Sequence, residues 1–121
     1  MKSFELGELQ ERFADIVWEH EPIASGELAK ICERELNWKK PTTYTVLRKL
    51  CEKGIFQNEN GLVSALLTRD EFRAAQGEQF VSETFDGSLP AFIAAFTARR
   101  GLSAAEAAEI QALIDNARRE A

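Results

Sequence analysis

Long apolar runs are absent from this 121-residue chain. None approaches the roughly 18 residues that a bilayer-spanning helix requires. The opening Met1-Lys2-Ser3-Phe4-Glu5-Leu6 turns acidic at once and lacks the apolar core of a signal peptide, so a cytoplasmic location is expected. Cysteine and histidine are nearly missing too. Cys32 and Cys51 form no CxxC pair, and His20 is the only histidine, which leaves almost no material for a zinc site. Both cysteines fall on apolar helix faces, where a free thiol behaves as a small hydrophobe; a disulfide is not expected in a reducing compartment. No GxGxxG or GxxxxGK[ST] loop is present to cradle phosphates. A Ser/His/Asp site would need His20, which sits between Glu19 and Glu21 at a helix end and reads as a surface histidine. Adjacent acids such as Asp70-Glu71 fit the first turn of a helix, where they favour its dipole. The chain is therefore expected to be no enzyme and to need no cofactor.

Positive charge is also scarce: 15 Lys and Arg stand against 20 Asp and Glu, a formal charge of −5. That excludes a histone-like coat of DNA, but not a reader that touches phosphates with one face. The charge is unevenly placed. Residues 37–60 hold five basic and two acidic side chains, while the segments before and after are both net acidic. The reversal falls within Asn37-Trp38-Lys39-Lys40-Pro41-Thr42-Thr43-Tyr44-Thr45-Val46-Leu47-Arg48-Lys49-Leu50-Cys51-Glu52-Lys53-Gly54.

Around that stretch the pattern of elements is regular. Leu9, Phe13, Ile16 and Val17 share one helix face, predicting a helix from about Gly7 to His20 that stops before Pro22. Ile23-Ala24 reads as a short strand. Ser25 is expected to cap a second helix with an inner face of Leu28, Ile31, Cys32 and Leu36. A third helix begins after Trp38, with Pro41 in its first turn, Val46, Leu47 and Leu50 inward, and Gly54 as a left-handed stop. Ile55-Phe56-Gln57, the turn Asn58-Glu59-Asn60-Gly61 and Leu62 to Leu67 then read as a hairpin. Three helices followed by a hairpin predict a winged helix. The ring of Trp38, just before the third helix, is expected to close the core rather than to stack on DNA.

A helix that enters the major groove needs donors and acceptors for base edges and cations for the phosphates around it. Thr42, Thr43, Tyr44 and Thr45 supply hydroxyls; Lys39, Lys40, Arg48, Lys49 and Lys53 supply charge. These nine residues are the expected DNA-binding set. A basic stripe can also bind an acidic protein surface, so a winged-helix protein–protein module is the alternative from another class.

Beyond residue 67 the chain is helical again. Thr68-Arg69-Asp70-Glu71 and Ser103-Ala104-Ala105-Glu106 are capping boxes, and Ser88 is placed to cap a helix that ends at Gly101. Phe92, Ile93 and Phe96 line that helix; Ile110, Leu113, Ile114 and Ala117 line the last one. Short amphipathic helices have little of their own to pack against, so these seven residues are expected to bury themselves against a second copy.

Trp38, Thr42, Thr45-Val46-Leu47, Lys49-Leu50 and Lys53-Gly54 together resemble the penicillinase-repressor family, which includes regulators of beta-lactamase, methicillin resistance and copper transport. Leu6-Gly7-Glu8-Leu9 with Val17-Trp18-Glu19 resembles that family's opening helix, and Phe85-Asp86-Gly87-Ser88-Leu89 its dimerisation segment. The resemblance spans nearly the whole chain. It implies a homodimeric winged-helix repressor of operators with dyad symmetry, Thr42, Tyr44 and Thr45 as reading positions, and Lys49 beside the backbone. Three departures stand out. Gly61 is followed by Leu62-Val63-Ser64-Ala65 rather than by a basic residue and alternating tyrosines, and a wing with Glu59 and no cation is expected to hold phosphates poorly. Ala95-Phe96 stands where beta-lactam-responsive members have a cleavable Asn-Phe bond. No cysteine follows Cys51, whereas copper-responsive members carry a C-terminal cluster. Neither inducer is implied.

The expected organisation is thus a winged helix-turn-helix over residues 1–67 and a helical dimerisation region over 68–121. Its expected partners are an operator duplex and a second copy, with no membrane. Two heads so joined would meet successive major grooves about 34–36 Å apart, or a multiple of that.

Overall fold

A computed structural model describes residues 4–118, which form two compact units that divide between Phe80 and Val81. In the first, α1 (Glu8–His20) buries Phe13, Ala14, Ile16 and Val17. The helical spacing predicts this stripe except at its start, where Leu9 lies half exposed at 50 %. After β1 (Ile23–Ala24), α2 (Ser25–Leu36) buries Leu28, Ala29 and Cys32. Its cap residue is Ala24, not Ser25. Ser25 is already in the first turn, and its backbone N–H donates to the Gly61 carbonyl at 2.7 Å. Asn37, in the left-handed region at φ 57°, ends the helix. Helix α3 (Lys40–Glu52) has Pro41 in its first turn, where a missing N–H costs nothing, and Gly54 at φ 82° follows it.

Strands β2 (Phe56–Glu59) and β3 (Leu62–Ala65) pair antiparallel, with Phe56 opposite Ala65 and Asn58 opposite Val63; β1 adds to the other edge of β3. The turn is tighter than the expected four residues. Only Asn60 and Gly61 remain outside the strands, at φ 52° and 87°. Two successive positive φ values match the twist of the flanking strands, which is why Asn-Gly suits this place. The Asn58 carboxamide oxygen accepts the Gly61 N–H at 3.0 Å and locks the turn.

Helix α4 (Arg69–Thr84) starts at the predicted capping box: Glu71 N–H donates to Thr68 Oγ1 at 3.0 Å and Thr68 N–H to Glu71 Oε1 at 2.8 Å. Its first turns pack on the core of the head. Phe72 is 4 % exposed and joins the core of Phe13, Val17, Leu28, Leu50, Ile55, Phe56 and Val63. Trp18 packs 5.5 Å from the Phe72 ring and donates from Nε1 to the Leu67 carbonyl at 2.9 Å. Gln76 and Gln79 bond the backbone of Phe4. By its internal contacts the chain divides between Phe80 and Val81.

In the second unit, α5 (Leu89–Arg100) is capped by Ser88, whose hydroxyl accepts the Ala91 N–H at 3.1 Å. Gly101 at φ 75° ends it, and α6 (Ala104–Arg118) starts at the Ser103 capping box. Neither helix buries a single side chain among the described residues. No described helix is long and apolar enough to cross a membrane.

Candidate nucleic-acid interface

The face that α3 presents is fixed by the face it buries. Thr43, Leu47 and Leu50 point inward, and their i, i+4, i+7 spacing leaves Thr42, Thr45 and Lys49 on the far side. Lys40, Tyr44 and Arg48 form the strip beside it, toward the wing. Thr42, Thr45, Arg48 and Lys49 are exposed, as are Lys39 and Lys40 at the start; Lys53 is half-buried at the C-cap. Elsewhere in the described residues, Lys30, Arg34, Arg69 and Arg100 pair with carboxylates. Lys39, Lys40, Arg48 and Lys49 pair with none among the described residues, so their charge is available to an anion from outside.

Thr43 is a correction to the expected reading set. It is 0 % exposed, and its hydroxyl has no partner better than the Cys32 thiol, a weak hydrogen-bonding group. It faces the core beside Cys32, where no base edge can reach it. Burial pushes the Cys32 thiol up, with the Thr43 hydroxyl pulling the other way. Tyr44 is only half available. Its ring packs against the core, its hydroxyl makes a long 3.4 Å contact to Ser25 Oγ, and Lys40 Nζ sits 5.9 Å from the ring centroid. The Thr45 hydroxyl donates to the Pro41 carbonyl at 2.9 Å, so toward a ligand it offers its methyl group and a free lone pair. Trp38 packs on Phe13 in a stacked arrangement, as its position before the helix predicts.

Between α3 and β2 lies an open groove of about 360 Å³, lined by Tyr44, Leu47, Arg48, Cys51 and Asn58. Reasoning from the sequence misses Asn58, because it places that residue in the turn. Period-two alternation from Phe56 puts it on the α3 side of the sheet. Burial pushes the Cys51 thiol up, and the Glu52 carboxylate adds to that, so it stays a protonated wall of the groove. Both cysteines are free. The ring Nδ1 of His20 lies 2.8 Å from the Ile16 carbonyl, and no group of His, Cys, Asp or Glu among the described residues could hold a metal ion.

The predicted dimer residues divide by exposure. Ile93, Phe96, Leu113, Ile114 and Ala117 are exposed, while Phe92 and Ile110 are half-buried within their own unit. Phe92 lies edge-on to Phe85 and tilted against Phe96. The outward stripe of α5 is instead Leu89, Ile93 and Phe96, at i, i+4 and i+7, with Leu89 57 % exposed. Leu89 and Leu102 are likewise exposed and lie outside the expected residues, although the spacing of Leu89 from Ile93 carries the signal.

Three helices closed by a two-stranded wing, with a short third strand on the sheet edge, define a winged helix. The sequence matches the penicillinase repressor family over residues 6–116, nearly its whole length. The chain belongs to that family, whose members are transcriptional regulators. No curated protein matches it.

Proposed function

We propose that the chain is a sequence-specific DNA-binding repressor that acts as a homodimer on an operator with dyad symmetry. The observation that carries this reading is the outer face of α3. There, in a chain of net charge −5, four basic side chains without carboxylate partners among the described residues surround the exposed residues Thr42 and Thr45. Lys39, Lys40, Arg48 and Lys49 would take phosphates, and Thr42 and Thr45 with the rim of Tyr44 would meet base edges in the major groove. Occupying a promoter represses without a cofactor. The dimer is supported by α5 and α6, which leave Leu89, Ile93, Phe96, Leu113 and Ile114 exposed and fully bury no side chain among the described residues. Two linked heads gain from effective concentration what one acidic head with few phosphate contacts lacks.

A salt titration tests the reading. Binding to duplex DNA should weaken linearly in log–log form, by about 0.9 per phosphate neutralised. Salt-independent binding, or none, would instead favour a protein–protein module.

A further inference from the structure

The wing carries no cation, and its acid Glu59 leads to the expectation of a poor grip on DNA. The register of the hairpin changes that expectation. Successive strand residues face opposite sides, so Glu59 stands with Gln57, and Gln57 bonds Ser64 across the strands at 3.1 Å. Asn58 stands on the other side, opposite the fully buried Val63 and toward α3. There it lines the groove of about 360 Å³ with Arg48, and none of the five lining residues is acidic.

The chemistry of the Asn58 side chain is fixed by its neighbours. Its oxygen accepts the Gly61 N–H, so its NH2 group points away as a donor and has no acceptor among the described residues. Arg48, two turns along the strip from Lys40, has no carboxylate partner among the described residues either. A residue with a guanidinium and one with a carboxamide, from two elements, thus line one open groove, where Leu47 supplies an apolar wall. Donors without acceptors complement a single anion; Glu52, whose charge reaches Cys51, does not itself line the groove.

We propose that this groove seats a phosphodiester of duplex DNA, held by Arg48 from α3 and by the Asn58 NH2 from β2. The grip absent at the wing tip is made at the wing base. This rests on the DNA-binding reading above. Because a backbone phosphate carries no sequence information, the contact strengthens binding to every duplex alike.

Asn58→Asp is the deciding variant. It keeps the oxygen that locks the turn and replaces the donor with a negative charge. Binding is measured with the full chain by fluorescence anisotropy, on a duplex enriched by the wild-type protein from a randomised pool and on a scrambled duplex. Asn58→Asp should lose about tenfold or more on both, from one like charge set against a phosphate at a partly solvated site. Glu59→Gln, on the opposite side of the sheet, should stay within about twofold. Arg48→Gln should also lose on both duplexes, and the double variant should lose less than the product of the singles, since they share one phosphate. An unchanged Asn58→Asp overturns the proposal, as does a double variant whose losses multiply fully. If Asn58→Asp lowers the melting temperature, Asn58→Ser decides in its place: weaker binding to both duplexes supports the groove, and wild-type binding overturns it. Failure of the wild-type protein to bind any duplex would sink the DNA reading itself, whereas wild-type binding with an unaffected Asn58→Asp sinks the groove alone.

Discussion

The rings of Phe13 and Trp38 lie stacked, centroids 5.7 Å apart and planes inclined by 23°. Phe13 is the fully buried centre of α1, and Trp38 immediately precedes α3, so the pair pins the start of the presented helix to the core. Trp38→Ala should cost about 3 kcal/mol of stability, the low end for an aromatic truncation because the ring is only half-buried. Urea melts check the loss, and the folded fraction should bind DNA as the wild type does. Unchanged melting with poor DNA binding would mean that the indole stacks on the duplex instead.

The buried hydroxyl of Thr43 makes the opposite forecast. Its Oγ1 has no partner better than the weakly bonding Cys32 thiol, and a poorly satisfied buried hydroxyl is costly relative to a methyl of the same shape. Thr43→Val should leave stability unchanged or raise it by about 1 kcal/mol, with affinity and operator preference intact. Loss of operator preference in that variant would restore Thr43 to the reading set.

On the exposed side, Lys49 and Thr42 should separate by kind of defect. Lys49→Ala should weaken all duplexes nearly alike and flatten the salt slope by about one unit. Thr42→Ala should keep the slope and lose preference between operators. Wild-type behaviour in both variants would mean that another face meets DNA.

Much of this is legible from periodicity. The stripes of α1, α2 and α3, the hairpin and all three predicted caps downstream of residue 67 lie where spacing and capping chemistry put them, because each depends on residues within a few positions. What the sequence misleads on depends on tertiary partners, or on letting chemistry override period. Thr43 looks like a reader for its hydroxyl, although it shares the i, i+4, i+7 stripe of Leu47 and Leu50. Ser25 looks like a cap, but its backbone N–H bonds the wing turn at Gly61, a partner 36 positions away. The capping box at Thr68 marks the start of a helix, which is not the start of a domain. The packing of Phe72 on Trp18, and the bonds of Gln76 and Gln79 to Phe4, are tertiary contacts that the local pattern does not carry.

Acid should act on the second unit through Glu106. Its hydrogen bond from Arg100, then the one from the Ser103 backbone, holds its carboxyl below the ordinary 4.5. A depressed carboxylate contributes stability that is present above the unfolded value and lost as pH falls through the folded one. The contact is solvent-exposed, so the effect on global stability is small, and carboxyl-carbon NMR is the proper readout. Arg100→Gln should move the Glu106 titration up toward 4.5, and a wild-type titration already at that value would remove the ion pair from the account.

The dimer is the last expectation, and it turns on what α5 and α6 leave uncovered. Leu89, Ile93 and Phe96 form one outward stripe, and Leu113 and Ile114 are 67 % and 46 % exposed on α6. Helices this short gain little from propensity alone, and most helical stability comes from packing an apolar face. Contiguous exposed apolar surface on a folded chain usually marks an interface, and a twofold arrangement would bury the same stripes on both copies. Ile93→Glu and Leu113→Glu place a charge in that seam without touching the core of the head. Each should yield monomers by analytical ultracentrifugation, with the head still folded by circular dichroism and near-ultraviolet signal. Each should bind a dyad-symmetric duplex at least about a hundredfold more weakly, the lower end of what linkage of two sites supplies, yet a single half-site about as well as before. A wild-type protein that sediments as a monomer at micromolar concentration would end the dimer model and remove the reason to expect a palindromic operator.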